Sequence, residues 1–202
     1  MGPPPLATIV ACSAEASKNF VEWYYASIND GKSVVQGYVN ASERYTVAGQ
    51  PPADICINGR VVATPEEWDA LLAQQRRAAN PTASANPFAS TDKVDTVRYE
   101  VASYDVHVIN SDYRFAAPPE VLVDYTITSN GGARRKAEGS VRIVMMLTVS
   151  GTVHFTATDG RPLAEQHFHD VFILVPNWDA ILRHGSKATR RYIAISHTYR
   201  AY

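Results

Sequence analysis

The last third of the chain contains three long runs in which aliphatic residues stand at both odd and even positions. These runs are 141–155, 166–175 and 192–202. A strand with one wet face alternates apolar and polar residues, whereas a strand covered on both faces is apolar at nearly every position. The rest of the chain offers too little helix to cover both faces of a sheet built from these runs. The sequence therefore predicts that something outside the chain packs on the second face, and a partner subunit is the simplest candidate.

Composition narrows the class of protein. The chain has 202 residues, 46% hydrophobic and 19% charged, which is enough for one sizeable core. Its net charge of −1 gives no general attraction to nucleic acid or membrane. The two cysteines, Cys12 and Cys56, suit a reducing compartment. No run approaches the ~18 apolar residues of a membrane span, and the start lacks a signal-peptide pattern. We expect an intracellular protein with no membrane association and no cofactor.

Helical patterns dominate the first part of the chain. A flexible tail over 1–12 precedes a predicted helix that begins near Ser13, with Ser13 or Ser17 as its N-cap. Large apolar side chains then recur at helical spacing and form one apolar face. These side chains are Phe20, Trp23, Tyr24 and Ile28. A second, shorter helical segment is predicted over 32–45.

A short hairpin and a third helix are predicted next. Asn58-Gly59 stands between two aliphatic pairs, and this dipeptide supplies the positive φ angles of a type I′ turn. Thr64 is the predicted N-cap of the third helix, and Glu67 closes a capping box. Residues 76–92, rich in Ala, Asn, Pro and Ser, are predicted to form a loop.

The order of elements indicates the fold class. A long strand is predicted over 94–110, followed by an inserted segment over 111–137 and then by the three apolar strands. Helices first and strands afterwards favour an α+β fold. We expect one domain, 13–202, with three N-terminal helices packed on one face of a curved, mainly antiparallel sheet.

Several motifs, taken in order, are similar to those of one family. Residues 168–174 (FHDVFIL) match a Phe-x-Gln-x-Phe-aliphatic-Leu strand, with Asp170 in place of Gln, and 149–153 (VSGTV) match an aliphatic-x-Gly-x-aliphatic strand centre. Residues 196–200 (SHTYR) match an aromatic-Arg pair, and 105–107 (DVH) stand where Asp-x-Gln-Pro is common, with Val108 in place of Pro. The chain thus resembles the nuclear transport factor two-like family, and within it the small subunits of the fungal mRNA export receptor heterodimer. That resemblance implies a cone-like fold.

The resemblance also implies a function. It implies a non-catalytic nuclear export adaptor whose sheet pairs with the related domain of the large receptor subunit. The heterodimer would carry mRNA, and large ribosomal subunits, through the nuclear pore by contacting Phe-Gly nucleoporins, and would shuttle between nucleus and cytoplasm. The fungal subunit carries a long insertion similar to 111–137. Arg134, Arg135 and Lys136 in that insertion are candidates for contact with RNA or pre-ribosomal cargo.

Strand parity predicts which side chains meet the partner. Phe168, Phe172 and Leu174 share one parity and are assigned to the helix-facing core. Side chains of the opposite parity would form the partner-binding face. They are Val144, Met146, Thr148, His169, Val171 and Ile173, and the resemblance adds Ser196 and Thr198 from the last strand. Two alternatives stay open: the chain's own loops or insertion could cover this face, and a homodimer would need the same composition.

A pocket enzyme, an isomerase or a dehydratase, is the alternative function. Enzymes of this fold place an acid–base group between helices and sheet. The candidates here are Asp105, His107, Asp170 and His197. Bulky side chains on the first helix favour a filled pocket instead, in which Asp170 and His197 hydrogen-bond across neighbouring strands. His167 and His169 could present two imidazoles to a metal, but no third ligand is evident, so no metal is expected.

Overall fold

The computed structural model describes residues 6–79, 97–122, 142–156, 162–182 and 191–202. Its α-helices are α1 (Leu6–Asn29), α2 (Glu43–Val47), α3 (Pro65–Ala79), α4 (Pro119–Leu122) and α5 (Trp178–Leu182). Its strands are β1 (Asp54–Ile57), β2 (Arg60–Val62), β3 (Val97–Asn110), β4 (Val144–Thr156), β5 (Pro162–Pro176) and β6 (Tyr192–Ala201). No described helix is both long enough and apolar enough to span a bilayer.

The strands form one six-stranded sheet that does not close. Their order is β2-β1-β6-β5-β4-β3, with β1 parallel to β6 and every other neighbouring pair antiparallel. Helix α1 packs against β3 and β4, and α3 packs against β2 and β3. The α+β prediction is confirmed, although its three N-terminal helices are two long helices and the short α2.

The three apolar runs form neighbouring strands, as predicted. Strands β4, β5 and β6 pair along most of their length. Alternate residues are buried beneath α1, and Phe168, Phe172 and Leu174 are 1%, 0% and 0% exposed. The assignment of these three residues to the helix-facing core is therefore confirmed.

The hairpin and the start of α3 follow their sequence signals. Asn58 and Gly59 have φ angles of 51° and 84°, and they join β1 to β2. The Thr64 hydroxyl accepts from the Glu67 amide at 3.3 Å. The Glu67 carboxylate accepts from the amide of Ala63 at 3.0 Å, one residue before the predicted position. The capping is thus reciprocal but shifted by one residue.

The first helix starts earlier than predicted. It begins at Leu6, so residues 6–12 of the predicted tail are helical, while 1–5 lie outside the described residues. Ser13 and Ser17 do not cap it, because their hydroxyls donate to the carbonyls of Val10 and Ala14, each at 3.0 Å. A serine hydroxyl can serve as a cap or bond back to the previous turn, and sequence does not separate the two.

The second helical segment is less regular than predicted. Residues 32–45 contain two 3-10 turns, Val35–Gly37 and Val39–Ala41, before α2 begins. A Cβ on Gly37 would lie 2.7 Å from the ring of Trp23. This close approach requires glycine, and it packs the segment tightly against α1.

The two predicted irregular segments are described only in part. Helix α3 continues to Ala79, so 76–79 of the predicted loop are helical, and 80–96 lie outside the described residues. In the predicted insertion, 111–122 are described and include α4, and the amide of Tyr113 donates to the carbonyl of Arg142 at 2.7 Å. Arg134, Arg135 and Lys136 lie outside the described residues.

Candidate functional site

The space between the helices and the sheet is filled with aromatic rings. The ring centre of Phe172 lies 4.4 Å from that of His197, 5.0 Å from that of Tyr24 and 5.2 Å from that of Phe20. All four side chains are at most 3% exposed. The bulky residues of α1 thus occupy the interior of the cone, as the sequence predicted.

A buried carboxylate lies at the centre of this interior. Asp170 is 1% exposed. One carboxylate oxygen accepts from the Tyr25 hydroxyl at 2.5 Å, and the other lies 2.8 Å from Nε2 of His197. The opposite ring nitrogen of His197 lies 2.9 Å from the Tyr38 hydroxyl. Asp170 and His197 therefore hydrogen-bond across β5 and β6, as the non-catalytic interpretation predicted.

The hydrogen-bonded chain continues into the helices. The hydroxyls of Tyr38 and Tyr24 lie 3.1 Å apart, and the Trp68 indole donates to Tyr24 at 2.9 Å. Burial raises the pKa of Tyr24 and Tyr38 well above the ordinary value. Burial and then the nearby Asp170 carboxylate raise the pKa of Tyr25. The tyrosines stay protonated and link α1, α3 and the sheet through one polar network.

The four catalytic candidates do not form one site. Asp170 and His197 are buried, with both oxygens and both ring nitrogens engaged. Asp105 and His107 are exposed on β3, paired with outward residues of β4. A surface cavity of about 430 Å³ is lined by α2, Ala116, Ala117 and Asp179, and Asp170 does not line it. Two of the four groups are thus buried beneath the helices and two are exposed on the opposite face of the sheet, so they do not act together.

The opposite face of the sheet, here called the outer face, carries the predicted partner-binding residues. Strand pairing arranges it in rows that cross the sheet from β3 to β1. The first row is His107, Met146, Ile173, Ser196 and Asp54. The second row is Asp105, Thr148, Val171, Thr198 and Cys56. The third row is Ser103, Ser150, His169 and Arg200.

Exposure separates the two faces. Met146 is 37% exposed, while its chain neighbours Met145 and Leu147 are 0% exposed. Six more of the predicted partner-binding residues are half-buried. They are Thr148, His169, Val171, Ile173, Ser196 and Thr198. The structure thus brings seven of the eight predicted residues together on one face, and their role in binding remains a prediction.

Val144 is the exception. It is only 7% exposed and belongs to the core cluster. The β3–β4 pairing is irregular between Val108 and Asn110, the residue that pairs with Val144. The extra residue, Ile109, lies in β3, so β4 itself stays regular, and the placement of Val144 on the outer face remains a prediction.

Beyond the third row, the outer face carries charged side chains. His154 lies 3.3 Å from the Glu100 carboxylate and 3.1 Å from that of Glu165. His167 and His169 each lie near a hydroxyl of β4, at 3.4 Å and 3.1 Å. Within the described ranges, no group of three or more His, Cys, Asp or Glu side chains is placed to hold a metal ion.

Steric crowding requires glycine at position 151, the centre of the VSGTV motif. A Cβ on Gly151 would lie 2.1 Å from the carbonyl oxygen of Glu100 and 2.6 Å from the ring of Phe168. The β3–β4 pairing is irregular beside it, between Val101 and Ser103. Glycine lets a large aromatic side chain of β5 lie directly against the backbone of β4.

Sequence reasoning missed the parts of the outer face that lie on β1 and β3. Asp54 and Cys56 join it because β1 pairs in parallel with β6, a long-range contact with no local signal. Asp105 and His107 were considered only as pocket residues. The alternation of β3 could have placed them outward, because their neighbours Val106 and Val108 are the apolar members of the pattern.

Comparisons with known proteins identify similar chains. No family model matches the chain, and no curated protein does. One solved structure, described as the Sac3N peptide bound to Mex67:Mtr2, contains a chain 48% identical over 95% of this chain and 99% of that chain, with a TM-score of 0.75. The Chaetomium thermophilum Mex67 NTF2-like domain complexed with Mtr2 gives 47% identity, the same coverage and a TM-score of 0.75.

A third solved structure, of Mtr2 itself, is 48% identical over 95% of this chain and 99% of that chain, with a TM-score of 0.74. Identity at this level over nearly the whole of both chains shows a shared family. The filled cone and the half-exposed outer face are consistent with this likeness to Mtr2 chains. The chain belongs to the Mtr2 family, the small NTF2-like subunits of the mRNA export receptor.

Proposed function

We propose that this chain is a non-catalytic adaptor that forms a heterodimer, through its outer face, with the NTF2-like domain of a Mex67-type large subunit. The observation that carries this proposal is the near-complete likeness to Mtr2 chains solved with Mex67. The half-exposed outer face supplies a surface for that partner. In this role the chain covers apolar surface of its partner and stabilises the folded domain by binding it.

The outer face has the anatomy of a subunit interface. Its centre is Val171, flanked by Thr148 and Thr198 in its row and by Ile173 and Met146 in the first row. A standard interface buries ~800 Å² per partner. If half of that area is apolar on each of the two partners, its burial yields ~20 kcal/mol at ~25 cal/mol per Å². Association itself costs about 4–15 kcal/mol, so affinity depends on a few well-packed central residues.

We also propose a role for the heterodimer in nuclear export. The heterodimer exports mRNA, and large ribosomal subunits, from the nucleus by contacting Phe-Gly nucleoporins in the pore. Arg134, Arg135 and Lys136 contact RNA or pre-ribosomal cargo. Support for a peptide-binding complex comes from the Sac3N peptide bound to Mex67:Mtr2. We propose no catalytic function, because Asp170 and His197 are enclosed by their hydrogen-bond partners.

Co-purification tests the proposed pairing. The chain is co-expressed with a tagged NTF2-like domain of Mex67, as wild type, as Val171→Arg and as Val10→Arg. Val10 is 57% exposed on α1, away from the outer face, so it controls for the added charge. We expect a stoichiometric complex with wild type and Val10→Arg, and its loss with Val171→Arg, because an arginine would be buried without a partner.

Two results would contradict the proposal. If the wild-type chain is a well-behaved monomer that does not associate with the Mex67 domain, heterodimer formation is wrong. If Val171→Arg binds as well as wild type does, the complex forms through another surface. Circular dichroism of each variant shows whether the fold is retained.

A further inference from the structure

The Trp68 indole sets the direction of the hydrogen bonds in the buried polar network. An indole N–H donates and cannot accept, so it donates to the Tyr24 hydroxyl oxygen at 2.9 Å. Among the described residues, the Tyr24 hydroxyl has one other partner, the Tyr38 hydroxyl 3.1 Å away. A buried hydrogen without an acceptor is costly. Tyr24 therefore donates its own hydrogen to Tyr38.

The same rule carries the direction on to the imidazole and the carboxylate. Tyr38 already accepts from Tyr24, so its hydrogen points to Nδ1 of His197, 2.9 Å away. Nδ1 is then the unprotonated nitrogen, and the ring proton lies on Nε2, which donates to Asp170 at 2.8 Å. The second carboxylate oxygen accepts from the Tyr25 hydroxyl at 2.5 Å. Asp170 accepts at both oxygens, which is the pattern of an ionised carboxylate.

The hydrogens of this network match its acceptors one for one. Its members are Trp68, Tyr24, Tyr38, His197, Asp170 and Tyr25. The five hydrogen bonds use five hydrogens, one from every member except Asp170. A further proton on the imidazole, or on the carboxylate oxygen beside it, reverses the bonds and turns the Tyr24 hydrogen toward the indole hydrogen. On the other carboxylate oxygen it displaces the Tyr25 hydrogen. Either way, one buried hydrogen loses its acceptor.

We propose that this network makes the core an acid-sensitive switch: it holds His197 neutral, with its proton on Nε2, and a further proton breaks a hydrogen bond that attaches a helix to the core. The bond that is lost joins α3 to α1 through Trp68 and Tyr24, or α1 to β5 through Tyr25 and Asp170. The inference concerns the interior and does not depend on the proposed heterodimer.

The groups around the network leave its titration to the imidazole–carboxylate pair. Tyr99 and Tyr199 face Asp170 from β3 and β6, and burial raises the pKa of both hydroxyls, so they are uncharged at neutral and acid pH. Two charged groups face the network from α3, Asp69 and Arg76. Both are half-buried and hydrogen-bond to backbone groups.

The position of the ring proton can be observed directly. In the full chain with ¹⁵N-labelled histidine, long-range proton–nitrogen NMR spectra show which nitrogens of each ring are protonated, and the signals missing from His197→Gln identify residue 197. At neutral pH we expect a proton on Nε2 of His197 and none on Nδ1. A proton on Nδ1, or on both nitrogens, would show that the inference is wrong. This measurement needs only folded wild-type chain for its result.

The sign of the acid dependence of stability is a second test. An imidazole in the unfolded chain takes up a proton near pH ~6.5, whereas the folded network has no place for it, so the unfolded chain binds more protons below that pH. The unfolding equilibrium constant of wild type should therefore rise by about tenfold per pH unit below ~6.5, relative to that of His197→Gln. Glutamine keeps one donor and one acceptor at this position but does not titrate.

Urea unfolding at a series of pH values gives these constants for wild type, His197→Gln and the matched control His169→Gln. His169 is half-buried on the outer face beside the Ser150 hydroxyl, so its replacement should leave the acid dependence as in wild type. A protonated His197 paired with Asp170 would give the opposite sign, with wild type gaining stability over His197→Gln on acidification. That result, or equal acid dependence in wild type and His197→Gln, would contradict the inference.

Discussion

The two faces of the sheet use alternate residues of the same strands for different purposes. On β5, Asp170 and Phe172 are buried in the polar network and the aromatic core, while Val171 and Ile173 between them are half-buried. The inner face thus contains the buried pair Asp170 and His197, hydrogen-bonded to each other, and the outer face carries aliphatic and hydroxyl side chains at its centre. On β5 the ionisable Asp170 is therefore part of the core, whereas the uncharged Val171 and Ile173 lie on the face proposed to bind the partner.

The difference between the two faces depends on hydrogen bonds within the chain. A buried carboxylate is tolerated only when its oxygens are satisfied, and Tyr25 and His197 satisfy both oxygens of Asp170. Val171 has no comparable enclosure. Substitutions on the inner face should therefore reduce folding stability, whereas matched substitutions on the outer face should reduce partner binding.

The largest difference is expected between Asp170→Ala and Val171→Ala. Asp170→Ala leaves the Tyr25 hydroxyl and a ring nitrogen of His197 unsatisfied in the core, which should lower the free energy of unfolding by about 3–5 kcal/mol. Val171→Ala removes a half-exposed side chain and should cost about 1 kcal/mol or less. Urea unfolding of the isolated chains measures both values. Equal losses would contradict the distinction between the faces.

A smaller effect is expected at the next matched pair along β4. In Gly151→Ala the new methyl group would meet the Glu100 backbone at 2.1 Å, and the strands must separate, at a cost of about 1–3 kcal/mol. Ser150→Ala loses only a 3.1 Å contact with His169 on the outer face and should change stability by about 0.5 kcal/mol or less. A tolerated Gly151→Ala would show that β3 and β4 can shift.

Alkaline pH should act on the inner face alone. Burial raises the pKa of Tyr99 to about 12 from 10.0 and raises that of Tyr24, Tyr25 and Tyr38. The folded chain keeps protons that the unfolded chain releases, so this stabilisation is complete below about pH 10 and is lost as the pH rises toward the folded values. Each such tyrosine lowers the free energy of unfolding by at most about 1.4 kcal/mol per pH unit.

Unfolding curves at a series of pH values test this expectation. We expect the contribution of the buried tyrosines to the free energy of unfolding to be constant below pH 10.0, the ordinary pKa of tyrosine. Above that pH it should fall steeply. Loss of stability beginning well below that value would indicate another titrating group. Tyr25→Phe should reduce the slope above pH 10.0, because one buried hydroxyl is removed.

Local sequence signals predicted much of this fold. The apolar runs became β4, β5 and β6, Asn58-Gly59 formed its turn, and the parity of 168–174 placed Phe168 and Phe172 in the core. Each of these features depends on neighbours close in the chain. The resemblance supplied the family, which the structural comparisons confirm.

The remaining features depend on contacts distant in sequence. The parallel pairing of β1 with β6 brings Asp54 to the outer face, and no periodicity within either segment indicates it. Val144 is only 7% exposed although its parity is that of the outer face, and no local signal in the sequence indicates this burial. The start of α1 was missed because the same serine can cap a helix or bond back to its previous turn.

Protection of a thiol at the centre of the outer face tests the pairing most directly. In a chain with Cys12 and Cys56 changed to serine, Val171→Cys places one thiol at the centre of the outer face, and Glu15→Cys places one on α1 as control. The rate of alkylation is measured with and without saturating NTF2-like domain of Mex67. We predict that the complex slows alkylation of Val171→Cys by about tenfold or more and leaves Glu15→Cys unchanged. An unchanged rate at Val171→Cys in the complex would contradict the account.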